Sequence, residues 1–474
     1  MTTLDTSPSL EMIGPVKGLA AFVHRLTYDR LPERVQQHAA GILLDMVGVI
    51  IWGAQDPFLN AFRTELLGAA RTGPATILGT RHRCDPGQAA LFNAAACTVT
   101  QIDEGHRRAL GHPGIHIFPA LLAIAEREGR GGKALLTALV AGYEVAVRLG
   151  EAMRPLHPGI HAHGHWPTIA AAVAGAKLLD ADQATLVQAI EAAATLTLTP
   201  WTRTATDGVT AHHLYAGMGA QTAVTVAYGT RAGMTASQGT LTEYFGPRGS
   251  LAFKPERLAA GLDGDEIEFE ILNNYFKFQP VCAHTITTIE AVDAIRSRLP
   301  HTATVRRVTV RTYGLAAELS DQAPRTTLAA KFSIPFVVAA RLLSPDRRLQ
   351  ALHEQDLDDP RLHDLMRRVH VEIDPVLDRE YPGARPSLVE FELDDGSSTA
   401  ERRDMPPGDA ENPASDEALN AKFLELTAPI LGTERAATLA ALCRNAAALE
   451  SIRTLTDAAR PLQTDGSDEQ DGGK

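Results

Sequence analysis

Histidines gather just ahead of Ala-rich helical stretches, in loops punctuated by Gly and Pro: His112-Pro113-Gly114, His161-Ala162-His163-Gly164-His165-Trp166-Pro167 and His212-His213. A helix start presents unpaired N–H groups and a partial positive charge, and imidazoles titrate near neutrality. Loops that combine the two can gather a small anion and move protons on it. Asp103 and Glu104, with Gln101 ahead of them, stand within about fifteen residues of His112 and His116, and glycines at 105, 111 and 114 let backbone approach a ligand. The competing reading is that these acids cap a helix end and the histidines are surface residues.

A second cluster, His161, His163 and His165, alternates, so an extended loop would send all three to one side. That geometry could hold a metal ion, but no HExxH or carboxylate-rich set accompanies it, and the expectation is no required metal and no cofactor. The third cluster is Lys277-Phe278-Gln279-Pro280-Val281-Cys282-Ala283-His284. Its proline forces a bend that could bring Lys277 and His284 to one pocket. His284 is preferred over Cys282 as a chemical group, because a lone thiol is more often inert. No P-loop, GxSxG elbow or GxGxxG after a strand is present, so nucleotide and hydride chemistry recede.

The elements that must carry these residues read as mainly α. From about Val16 to Gly229, apolar residues recur at three- and four-residue spacing, as in Gln36–Trp52, Pro119–Arg127, Lys133–Met153, Thr168–Leu179 and Asp182–Leu196, with Asp182 as an N-cap. After about residue 270, β-branched and alternating runs appear: Val305–Tyr313, Val369–Ile373 and Leu388–Leu393, then a turn at Asp394–Ser397 and a returning strand Ser398–Arg403. A helix is expected over Thr285–Leu299, and helices return over Ala418–Leu426 and Glu434–Leu449. The division is an N-terminal extension (1–15), a large all-helical domain (16–269), a smaller α+β lid domain (270–404), C-terminal helices returning to the helical domain (405–460) and a disordered tail (461–474).

The chain has 474 residues, 45% of them hydrophobic and 22% charged, with a formal net charge of −12. That balance fits a globular chain with a sizeable core. It argues against a general binder of nucleic acid or of an anionic membrane and favours a small-molecule partner. Four scattered cysteines without a CxxC pair give neither a zinc site nor a disulfide framework. With no secretory pattern and no continuous apolar run of about eighteen residues, the expected location is cytoplasmic.

The order of motifs resembles the MmgE/PrpD family. The resemblance rests on the acidic loop running into His112-Pro113-Gly114 and Pro119-Ala120-Leu121-Leu122-Ala123, the later His161 before the helix ending Lys177-Leu178-Leu179, and Ala216-Gly217-Met218-Gly219-Ala220. It continues through Lys277-x-x-Pro-x-Cys-x-His284, Ala330-Lys331-Phe332-Ser333-Ile334-Pro335-Phe336 and Arg385-Pro386 ahead of the final hairpin. It implies a helical domain with an α+β lid, a homodimer, and a metal-free site between the two domains. The family's reactions include dehydration, decarboxylation and epimerisation of small carboxylic acids.

By motif position the resemblance makes His112, His161, His284, Lys277 and Asp103 the catalytic set. Gln101, Glu104, His163, His212 and Tyr313 become substrate contacts. Two departures stand out: Gln101 replaces a usual Asp, and His212 a usual Lys, with Tyr215 in place of a histidine. A lysine is a fixed charge and a histidine is not, so the expected substrate has fewer or differently placed carboxylates than a tricarboxylate. The leading expectation is a cofactor-independent lyase of dehydratase type, taking a proton α to a carboxylate. Decarboxylation or epimerisation on the same fold is the alternative, ahead of a non-catalytic carboxylate binder or a metallohydrolase.

Overall fold

The computed structural model describes residues 10–68, 72–262, 267–300, 302–343 and 354–462. The architecture is mainly α. The helix Glu33–Gly53 is apolar all round and buried without interruption from Ala39 to Ile51, the pattern of a helix enclosed by others. Its average hydropathy would suit a membrane span, although most of it is covered by protein. The helices Pro86–Thr100, Gly114–Glu128, Gly132–Ala152, Trp166–Leu178 and Leu214–Arg231 share the same core. Small residues set the spacing: a Cβ on Gly142 would come 2.7 Å from Ala174 Cβ, so the helices cross almost backbone to backbone. Asp56, Asp85 and Asp182 cap helix starts through their side chains, Asp182 accepting from Thr185 N at 2.8 Å.

Two further buried clusters lie between Val281 and Leu393. Their four-stranded sheet has the order Val369–Ile373, Val305–Thr312, Ser387–Leu393, Ser398–Arg403. Ser387–Leu393 alternates cleanly, placing Val389, Phe391 and Leu393 on the face that packs with Ile295 of the helix Ile286–Arg296. Val369–Ile373 joins parallel to Val305–Thr312 at the edge, which is why only Val369 of that strand is fully buried. The helix expected from Thr285 begins as a 3₁₀ turn, Ala283–Thr285, and ends at Arg296.

The chain then returns to the first core. Leu419, Phe423 and Leu426 of the helix Asp416–Leu431 pack there, and the buried Lys422 Nζ donates to Asp45 Oδ1 at 2.6 Å and to the Ile102 carbonyl at 2.8 Å. That lysine pins the start of the acidic loop. A two-residue ladder pins its end: Gly105–His106 pairs antiparallel with Asn274–Tyr275, tying the loop to the strip that leads to Lys277.

One boundary differs from expectation. The first helix, Leu10–Arg25, already includes residues assigned to an N-terminal extension. Residues 463–474, most of the expected tail, lie outside the described residues, as do residues 1–9.

Candidate active site

The helix Pro86–Thr100 stops at Gln101, which takes a left-handed conformation (φ 58°) and folds its amide back onto Thr98 O at 2.7 Å. The half-buried Lys331 Nζ donates to the carbonyls of Val99 and Thr100 at 3.2 and 3.3 Å, placing a cation at the negative end of that helix. Burial brings the Lys331 pKa down to about 8. With its exit fixed in this way, the chain projects Asp103 and Glu104 in opposite senses.

Asp103 faces the histidine side. His112 Nδ1 lies 2.6 Å from Asp103 Oδ2 and 2.7 Å from the Glu104 carbonyl oxygen, and Lys277 Nζ lies 3.4 Å from Asp103 Oδ1. Burial opposes the Asp103 charge, but His112 and Lys277 outweigh it and hold the carboxyl well below the usual range. Because a carbonyl oxygen only accepts, Nδ1 of His112 carries a proton. The neutral ring therefore keeps its lone pair on Nε2. Lys277 is itself buried, which lowers its pKa against the pull of Asp103.

Glu104 turns into the helical body. Its Oε1 accepts from Gly114 N at 2.6 Å and its Oε2 accepts the Tyr143 hydroxyl, so it caps the start of the helix Gly114–Glu128. Burial pushes its pKa up to about 8. A Cβ on Gly114 would sit 2.5 Å from Glu104 Oε1, so this cap requires glycine there. The expected substrate contact at Glu104 is not made, since its carboxylate is consumed by the cap.

One cavity of about 600 Å³ gathers Gln101, His112, His161, His163, Tyr275, Lys277, Cys282, His284 and Arg385 on its walls. Pro280 does bring Lys277 and His284 to the same space. His284 Nδ1 is 2.6 Å from the Tyr313 hydroxyl, and burial lowers its pKa to about 3, helped by Arg385, His112 and Lys277. Tyr313 stands behind His284, stacked on Tyr381 with ring centres 4.5 Å apart, and is not on the wall. Asp103 likewise works from behind His112 and Lys277. The Cys282 thiol is pushed up by burial, as an inert thiol would be.

The three alternating histidines separate. His161 and His163 meet edge to face at 4.5 Å on the cavity wall, whereas His165 leads into the helix Trp166–Leu178 and stacks on Phe245. His212 takes the third place one layer back, its ring 5.1 Å from His161 and 5.5 Å from His163. It lies behind the wall that substrate would touch. Neither His212 nitrogen has a hydrogen-bond partner among the described residues. Burial lowers the pKa of all three, that of His161 to about 4.

Nitrogens of His161, His163 and His212 lie within 4.8 Å of one another and are the group that could hold a metal ion. The fit is poor. His161 Nδ1 already accepts the His163 backbone N–H at 3.1 Å. That contact fixes the neutral ring as the Nε2–H form, a donor toward the cavity.

Arg385 is the group that sequence reasoning missed, having quoted it only as a motif. It is buried, its guanidinium lies 4.5 Å over the Tyr275 ring, and its Nε and Nη1 have no partner among the described residues. A buried guanidinium with two unpartnered nitrogens on a cavity wall is suited to a carboxylate. Its only sequence signal was a cation next to Pro386 ahead of an alternating strand.

Residues 17–253 match the MmgE/PrpD N-terminal domain and residues 279–447 the MmgE/PrpD C-terminal domain. Cis-aconitate decarboxylase of Aspergillus terreus is 22% identical over 462 residues, covering 91% of this chain and 93% of the relative. The cis-aconitate decarboxylase-like protein oryM of Aspergillus oryzae is 23% identical over 470 residues, covering 92% and 94%. Cis-aconitate decarboxylase of Homo sapiens is 23% identical over 457 residues, covering 93% of each. With both family domains matched in order across most of its length, the chain belongs to the MmgE/PrpD family.

Proposed function

We propose that this protein is a cofactor-independent lyase of dehydratase type, acting on a small carboxylic acid through a carbanion next to a carboxylate. The observation that carries the reading is His112, backed by Asp103 and set beside the buried cations Lys277 and Arg385 on one cavity. Arg385 and Lys277 bind the substrate carboxylate and hold the negative charge that develops on it. His112 Nε2 takes the α-proton, and the C–H electron pair passes into the enolate. When that charge collapses the β-C–O bond breaks, and the His112 imidazolium returns its proton to the departing hydroxyl as water. His161, through Nε2–H, hydrogen-bonds that hydroxyl. Asp103 stabilises the imidazolium between the two transfers.

Decarboxylation is the second reading, supported by the decarboxylases among the relatives. Here the Cα–carboxylate bond breaks, CO₂ leaves, and the electron pair left on carbon takes the proton of the His112 imidazolium. Proton NMR of the purified chain in deuterated buffer, with citrate-like, malate-like, aspartate-derived and unsaturated tricarboxylic acids, separates the cases. Loss of water, or exchange of the α-proton for deuterium in remaining substrate, supports the first reading, and loss of CO₂ with deuterium at the vacated carbon supports the second. Silence across the panel from folded protein rejects both.

A further inference from the structure

The cavity is polarised along its depth. Its floor carries Lys277 and Arg385. Beyond the floor it opens into an outer cleft of about 1010 Å³, and the residues common to both form a neck: Leu110, Leu156, Ile160 and Leu315, with Gly159, Thr202 and Glu318. Two of the large apolar side chains on the cavity wall are left open to solvent, Trp201 at 57% and Leu315 at 41%.

The charges in the neck do not favour a second carboxylate. Glu318 is exposed there and would repel one, and the nearby Arg203 is held by Asp207 at 3.1 Å. In the outer cleft Arg107 and Arg108 are engaged by Asp409, Glu411, Glu270 and Glu151, and Arg154 donates to the Arg108 carbonyl, while Lys254 and Arg257 line the cleft beyond the neck. A cavity of about 600 Å³ falls in the range of about 300–1,000 Å³ that encloses drug-sized ligands, more room than a compact six-carbon acid fills.

We infer that the substrate is an acid whose carboxylates cluster at one end, on Lys277 and Arg385, and whose other end is an apolar alkyl chain running out through the neck formed by Leu110, Leu156, Ile160 and Leu315. The inference rests on the carboxylate-lyase reading and adds to it a substrate class. It also accounts for the imidazole wall: His161 and His163 give the middle of the substrate hydrogen-bonding groups without fixed positive charge.

The test is calorimetric titration of the full chain with succinate, methylsuccinate, butylsuccinate and hexylsuccinate, in parallel with citrate. Affinity is expected to rise by about four-fold per methylene that reaches the neck, with hexylsuccinate binding more tightly than citrate. Leu315→Ser flattens the rise with chain length, whereas Arg385→Gln weakens every member and keeps the rise. The inference is overturned if hexylsuccinate binds no better than succinate, if Leu315→Ser leaves the rise intact, or if no member binds. Failure of the lyase reading looks different: the alkyl series binds as expected, yet no acid loses water or CO₂. Because Leu315 is exposed, its variant is checked by sizing chromatography, and a change of oligomeric state that accompanies the flattening would assign the neck to a subunit interface and overturn the inference.

Discussion

His112 Nδ1 lies 2.6 Å from Asp103 Oδ2, a contact buried behind the cavity wall that leaves the opposite ring nitrogen free for chemistry. The Glu104 carbonyl fixes the tautomer of His112, and Asp103 is a positioning residue that supports its imidazolium. Asp103→Asn is expected to lower kcat by about 10²–10⁴ while KM moves little. Steady-state kinetics on whichever acid the protein turns over would read this; a variant within a few-fold of the parent would remove the dyad from the mechanism.

Arg385 gives a prediction in two parts. Losing a charged hydrogen bond to the substrate carboxylate in Arg385→Gln should cost about 10- to 150-fold in kcat/KM. The thermal midpoint should stay level or rise, since a buried, unpaired charge has been removed. A structural arginine would show a falling midpoint instead.

Glu104 contributes to stability in the opposite pH sense from most carboxylates. Its folded pKa, near 8, lies above the ordinary glutamate value of 4.5, so the folded state keeps the proton through that interval. Its contribution is fully present below pH 4.5 and is lost as pH rises to 8. Glu104→Gln should keep the cap and flatten this decline, whereas Glu104→Ala should cost about 1–3 kcal/mol at pH 5 and less as pH rises toward 8. Urea midpoints between pH 5 and 9 distinguish the two.

The buried imidazoles act at the acid end. Burial lowers the pKa of His161, His165 and His213 to about 4 and of His116 and His284 to about 3, all from 6.5. The unfolded chain takes up protons below 6.5 and the folded chain does not, so stability is full above 6.5 and falls as pH drops toward 4. Thermal scans should show a steep loss over that range, made shallower by His213→Gln. A flat profile would mean that the imidazoles are hydrated in solution.

The three-histidine group offers a direct check on metal independence. Chelator treatment is expected to leave turnover unchanged, because His161 Nδ1 is already committed to the His163 backbone. Loss of turnover that one added metal restores would assign His161, His163 and His212 to a metal site.

Much of this was legible in the sequence, because period and punctuation report burial directly. The Ala-rich stretches are helices, and His112, His161, Lys277 and His284 share a cavity. What was hidden is direction. Adjacent residues in an irregular loop point apart, so nothing in Asp103-Glu104 says that one meets His112 and the other Gly114. The alternation of His161, His163 and His165 holds for two of the three, since the third is drawn off by the helix starting at Trp166. Arg385 was invisible for a different reason: its importance lies in having no partner, and a missing partner leaves no mark on a sequence.

The ladder between Gly105–His106 and Asn274–Tyr275 bears on how this protein could be recombined with its relatives. The two family domains match residues 17–253 and 279–447, so Tyr275 and Lys277 fall in the stretch between them. A chimera joined in that interval therefore inherits its floor cation from whichever parent donates the crossing strip. A graft that brings a foreign strip would leave Asp103 facing a stranger's lysine across a ladder whose other rail it never evolved beside. The productive joint lies upstream of Asn274 only when the acidic loop travels with it.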